Sequence, residues 1–289
     1  MRLSLSSRID EALAPAPRPR RVEGLKPLPF AHRGLHGPGR PENSLAAFRA
    51  AIEAGHGVEL DVRASRDGHA IVFHDAELDR LTGERGPIAV RTAAELTSIP
   101  LRDGDGETIP DLPTALSLIR GRVPLLIEVK APDPQVGALC LSAFRALDGY
   151  LGPVGVMSFN PEVGRWFARH APRITSGLVV TEAGKRRRGG LRRRLALWRA
   201  RPDFLAYDIR DLPSPFASRA RARGLPVFTW TCRSAADQAK ARLHADQIIH
   251  ELHLAHPEEG LSSAKARLEG SLSFVLRDAA STSLSGSSG

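Results

Sequence analysis

Four short stretches of the chain hold side chains able to move protons or grip cations: His32-Arg33, Glu59 with Asp61, His74-Asp75, and Glu128 with Lys130. The two acid pairs sit inside apolar runs, 57–62 (GVELDV) and 124–130 (PLLIEVK). A strand has a period of two, so Glu59 and Asp61 share one face, as do Glu128 and Lys130. Ionisable groups aimed inward from such strands are costly without partners. Three carboxylates brought together repel each other unless a cation lies between them. An all-oxygen ligand set selects a hard ion, Mg²⁺ or Ca²⁺, over zinc. A buried salt-bridge cluster, with arginine and lysine neutralising the acids, competes for any single pair.

Such groups converge only if the strands carrying them lie side by side. Candidate strands fall at 28–33, 57–62, 70–74, 124–130, 154–159, 176–181, 204–209, 226–231 and 246–250, where short apolar, β-branched runs recur. Segments of helical period lie between them, at 43–54, 92–97, 111–120, 135–148, 161–169, 191–200, 214–223 and 234–242. Asn43, Asp111, Asn160 and Ser234 stand where helix N-caps belong. Strand–helix–strand order implies a parallel sheet, and 289 residues suit a closed barrel of about 250. The expected fold is therefore α/β, a single TIM (β/α)8 barrel, whose reactive groups gather at the C-terminal strand ends. Nine strands are one too many for it. The pair 57–62 and 70–74 is suspect, because seven residues cannot hold a crossover helix. The domain spans 25–256, preceded by a flexible lead-in at 1–24. An extension at 257–289 follows, expected to be disordered from about 279 where Ser and Gly dominate. The connection 75–123 reads as an elaborated loop, not a module.

The order of the reactive motifs narrows the chemistry. His32-Arg33-Gly34, Pro41-Glu42-Asn43-Ser44, Glu59-Leu60-Asp61, Asp67-Gly68, His74-Asp75 and Glu128-Val129-Lys130 follow one another. Leu81-Thr82-Gly83, Ile109-Pro110-Asp111-Leu112, Ser158-Phe159 and Trp230-Thr231 continue the series. Over roughly 28–250 this pattern resembles the glycerophosphodiester phosphodiesterase family. The resemblance implies metal-dependent hydrolysis of glycerophosphodiesters to glycerol 3-phosphate and an alcohol. It implies metal ligands at Glu59, Asp61 and Glu128, and a general acid and base at His32 and His74. It also implies phosphate contacts at Arg33 and Lys130, and a substrate-facing wall at Trp230. The residue chemistry agrees: a planar arginine fork matches two phosphate oxygens, and two histidines can give and take protons near neutral pH. A phospholipase D- or C-like reaction on intact or lyso-phospholipids is the alternative for the same groups. A non-catalytic polyanion-binding barrel is the alternative of another class. The last strand departs from the family pattern: it ends in His250-Glu251, where the family usually has a Thr-Asp pair. That change is expected to touch the substrate rim and not the catalytic set.

The rest of the composition is bland. The net charge of +9 is concentrated in 185–194, which holds seven cations and no acid, and in the first 22 residues; the remainder is close to neutral. The segment 185–194 reads as a solvated surface loop, with weak contact to anionic membranes as its functional reading and no specific nucleic-acid partner. Two cysteines cannot form a disulfide framework and read as small buried hydrophobes. Neither a membrane-spanning run nor a secretory signal is evident, so the expected location is cytoplasmic.

Overall fold

A computed structural model describes residue 13 and residues 18–183 and 189–251. The expected extension 257–289, most of the lead-in, and Lys185 to Arg188 lie outside the described residues.

Eight parallel strands close into a barrel: β1 (Phe30–Ala31), β2 (Gly57–Ala64), β4 (Leu125–Val129), β5 (Val154–Ser158), β6 (Thr175–Val180), β7 (Phe204–Asp208), β8 (Val227–Cys232) and β9 (Gln247–His250). β1 pairs with both β2 and β9, which shuts the ring. The ninth strand, β3 (Ala70–Val72), lies antiparallel on the outer end of β2, so the short 65–69 link is a hairpin turn and not a crossover. Among the described residues, seven helices stand around the barrel wall: α1 (Leu45–Glu53), α3 (Leu112–Ile119), α4 (Gly137–Ala146), α5 (Pro161–His170), α6 (Gly189–Ala200), α7 (Pro215–Ala222) and α8 (Ala235–His244); the short α2 (Ala93–Thr97) belongs to the connection between β3 and α3. No helix among the described residues is long and apolar enough to cross a membrane.

Alternation along the strands sorts the core into two shells. Residues facing the helices, such as Val58, Leu60, Leu125 and Ile127, pack on Phe48, Leu116, Cys140 and Phe167. Residues facing inward, Phe30, Leu126, Met157, Phe204 and Phe228, fill the barrel. Gly177 makes room there, since a Cβ would stand 2.3 Å from the Phe204 ring. Both cysteines are buried, and desolvation pushes each thiol up to about 12.

Two expectations are corrected. The lead-in is not loose to residue 24. Residues 18–25 form 3-10 turns that put Val22 and Leu25 into the inner core, and Arg18 and Arg21 pair with the buried Asp203. Two apolar side chains suffice to plug the barrel floor despite a Pro- and Arg-rich composition. The Arg-rich segment is not a loop as far as its second half is described. α6 begins at Gly189 and carries Arg192, Arg193 and Arg194, since Leu197 and Ala200 give it a buried side.

Candidate active site

At the C-terminal ends of the strands lies a cavity of about 440 Å³. His32, Arg33, Glu59, His74, Glu128 and Lys130 line one side, and Phe159, Asp208, Arg210 and Trp230 another. All eight residues singled out in the sequence meet here: seven line the cavity, and Asp61 lies between Arg33 and Lys130, buried out of solvent.

The acids come first because the sheet register puts them together. Asp61 pairs across with Glu128 on the neighbouring strand, and Glu59 lies two residues below Asp61 on the same face. Ligand oxygens of Glu59, Asp61 and Glu128 all fall within 4.8 Å of one another. Lys130 Nζ lies 2.6 Å from Glu128 Oε1 and 3.0 Å from Asp61 Oδ1, and Arg33 Nε lies 3.3 Å from Asp61 Oδ2. These cations hold Asp61 well below the usual carboxylate range against its burial. Glu59 is different. Its Oε2 accepts the backbone N–H of Arg33 at 2.9 Å and lies 4.0 Å from His32 Nε2, while Oε1 is buried with no hydrogen-bond partner. Burial, reinforced by Asp61, pushes its carboxyl up to about 7. Salt bridging therefore accounts for two of the three acids and leaves the third short of positive charge. An all-oxygen trio with a spare buried acceptor fits a hard divalent cation.

The turn after β1 is built for this cluster. Arg33 and Asn43 both hold left-handed backbone, φ 57° and 58°, a conformation that costs on the order of 1 kcal/mol for residues other than glycine. They are joined by the Asn43 N–H donating to Arg33 O at 2.9 Å. Asn43, expected to cap α1, does not cap it. Ser44 does, accepting from Ala47 N–H at 3.1 Å. Asn43 instead donates from Nδ2 to Asp61 Oδ2 at 3.0 Å and accepts the Asp61 backbone N–H at 3.2 Å.

Each histidine has one ring nitrogen held by a carboxylate. His32 Nδ1 lies 2.5 Å from Glu251 Oε1, and Arg233 grips the same carboxylate at 2.6 and 3.0 Å. His74 Nδ1 lies 2.7 Å from Asp75 Oδ1, whose other oxygen accepts from Arg80 at 2.6 Å. Arg80 also forks onto Glu42 at 2.7 and 2.9 Å, and Glu42 accepts from Arg33 at 2.7 Å. The environments diverge. Burial pulls His32 down, but Glu59 and Glu251 outweigh it and raise its affinity for a proton above the ordinary histidine value. Burial holds His74 below that value, with Lys130 and Arg33 assisting and Asp61 opposing. Glu251, expected at the rim alone, thus reaches the predicted acid–base pair. His250 points elsewhere, edge-on to His56 at 4.9 Å, and burial lowers it to about 4.

Trp230 donates from Nε1 to Ala206 O at 2.9 Å and meets Phe159 edge-to-face at 5.6 Å, so its ring forms a fixed apolar wall. Ser158 donates to Val129 O at 2.7 Å and accepts from Asn160 N–H, a structural role. Sequence reasoning missed Glu42, Arg80 and Asp208. Glu42 stands inside the Pro41-Glu42-Asn43-Ser44 motif, while Arg80 carries no signal beyond its type. Asp208, at a strand end on the cavity, is forked by Arg210 at 2.6 to 3.2 Å.

Known proteins resemble this chain in sequence and fold. The model of the glycerophosphoryl diester phosphodiesterase family matches residues 32–250. A glycerophosphodiester phosphodiesterase from Caldanaerobacter subterraneus is 29% identical over 216 residues, covering 72% of this chain and 86% of the relative. A probable glycerophosphodiester phosphodiesterase 2 of Mycobacterium tuberculosis is 32% identical over 232 residues, covering 71% and 79%. Among solved structures, an Oleispira antarctica phosphodiesterase in complex with the product sn-glycerol-3-phosphate superimposes with a TM-score of 0.68 at 25% identity, covering 84% of this chain and 99% of that one. From the first histidine of the site to the last barrel strand, the chain belongs to the glycerophosphoryl diester phosphodiesterase family.

Proposed function

We propose that this chain hydrolyses small glycerophosphodiesters to glycerol 3-phosphate and an alcohol. The observation that carries this is the placement of two carboxylate-braced histidines beside three clustered acids and two cations in one cavity. Glu59, Asp61 and Glu128 would hold a divalent cation, Mg²⁺ or Ca²⁺, which would supply neutralisation of charge growing on the phosphate. Arg33 offers a planar fork to the phosphate oxygens and Lys130 a point charge. Glu251 and Asp75 fix Nδ1 of His32 and His74, leaving Nε2 of each as the working nitrogen. One histidine takes a proton from the attacking oxygen and the other delivers one to the leaving alkoxide. Trp230 and Phe159 bound the space for the alcohol. The reading includes a cytoplasmic location.

The test is a coupled glycerol 3-phosphate release assay over a panel of glycerophosphodiesters, beside an assay of head-group release from a lysophospholipid, with and without chelator. Release from the soluble diesters, abolished by chelation and restored by Mg²⁺ or Ca²⁺, is expected. Full turnover in metal-stripped buffer, or head-group release from the lysophospholipid with none from the soluble diesters, overturns it.

A further inference from the structure

On the outside of the barrel, away from the cavity just described, α5 and α6 enclose a second groove of about 450 Å³. Arg165, Arg169, Arg199 and Arg201 line it together with Leu195 and Trp198. The two helices are drawn together at one end, where Gly164 has no Cβ to strike Ala200 O at 2.9 Å. α6 contains no acid. Its inner side is committed: Leu197 and Ala200 are buried, and Arg193 turns back to Glu182 at 3.1 Å and over the Phe216 ring. Its outer side is not. Leu191, Leu195 and Trp198 recur at helical spacing on one stripe, and the two leucines are 61% and 50% exposed. Arg192 and Arg199 are exposed on its flank. The nearest acid, Glu162, is taken by Arg199, with Arg165 at 4.0 Å. Arg169 and Arg201 have no acidic partner among the described residues.

Leucines exposed to water in a field of arginines suit a partner with both an apolar phase and negative charge. A nucleic acid supplies the charge but no apolar phase for the leucines, and among the described residues lining the groove Trp198 is the one aromatic ring for a base to stack on. We propose that the outer face of α5 and α6 docks on an anionic lipid surface. Leu191 and Leu195 enter the acyl boundary, while Arg165, Arg169 and Arg201 lie against the lipid phosphates, as in an interfacial amphipathic helix. The proposal is independent of the reading of the active site. It brings the enzyme to membranes and leaves turnover of soluble diesters unchanged.

The experiment is co-sedimentation of the full chain with phosphatidylcholine vesicles, with and without phosphatidylserine. Salt-sensitive binding to the phosphatidylserine vesicles is expected. Leu191→Gln/Leu195→Gln and Arg169→Glu should each weaken it by about tenfold or more, which is ~1.4 kcal/mol. Glycerol 3-phosphate release and far-UV circular dichroism of the same variants report their folding, and Leu195→Gln alone serves if the double variant is unstable. Failure to bind phosphatidylserine vesicles, or undiminished binding by both kinds of variant, overturns the proposal. So does duplex DNA binding that is tighter than vesicle binding and lost in the same variants.

Discussion

The wall of the barrel is divided. On β1, β2 and β4 the inward strand ends carry His32, Glu59, Asp61, Glu128 and Lys130; on β5 and β6 the corresponding positions are Met157 and Val179. Both sectors face the same cavity and use the same alternation. The first tolerates five ionisable groups because each is tied to a neighbour, and the second needs no such ties. Charge at the first sector is coupled, so removing one member disturbs the others. The apolar wall ends at Trp230 and Phe159, which meet edge-to-face. On the function proposed above, the division separates a sector that performs the reaction from one that chooses what enters.

The largest expected difference between the sectors lies in turnover. His32→Ala and His74→Ala should each lower kcat by on the order of 10²–10⁴ with little change in KM. The double variant should lose less than the product of the two, since both groups serve one displacement. Steady-state kinetics on a single soluble diester checks this, and near-normal kcat in either variant removes that histidine from the pair.

Trp230→Ala should do the opposite. An apolar wall contact is worth about 1–3 kcal/mol of discrimination. The ratio of kcat/KM between diesters with small and bulky alcohols should therefore shift by roughly tenfold, while kcat on the smallest changes little. Equal losses for every alcohol would place Trp230 in the reacting sector.

The smallest effect is read in stability. In metal-stripped protein the Glu59 carboxyl is raised to about 7, first by burial and then by Asp61. A carboxyl raised on folding keeps its proton longer than in the unfolded chain, so stability falls as pH climbs from about 4.5 through 7. Glu59→Gln should remove that loss. Its chelated form should be more stable than wild type by on the order of 2 kcal/mol, several degrees in Tm, above pH 7. The difference should vanish below about pH 4.5. Thermal melts with chelator across pH measure it.

Most of the barrel was legible because its signals are local. Apolar runs such as PLLIEVK become β4 within a residue or two, and Asp111, Asn160 and Ser234 cap the helices they precede. The reactive trio was legible because acids at period two in an apolar strand are too costly to bury unless a cation or a cationic side chain meets them. Contacts across the chain were not. Asn43 and Ser44 are both good caps, and only the nearness of Asp61 decides which of them does that work. Glu251 reads as a rim residue until the barrel closes and sets it against His32. Val22 and Leu25 are two apolar residues in a polar stretch, too few to announce a buried segment.

The seam between β1 and β9 has a consequence for how the enzyme is made. Glu251 follows His32 by 219 residues. At about 5–20 residues per second, a ribosome needs roughly 10–40 s to deliver the second after the first. Throughout that interval β1 has an open edge awaiting its last neighbour, and the N-terminal plug has no floor to fill, because Phe204 and Phe228 come late. Closure of the ring and bracing of His32 are one event. On the role proposed for His32, a nascent or truncated chain lacking the final strand should be catalytically mute, and the onset of activity during synthesis should report the moment the barrel shuts.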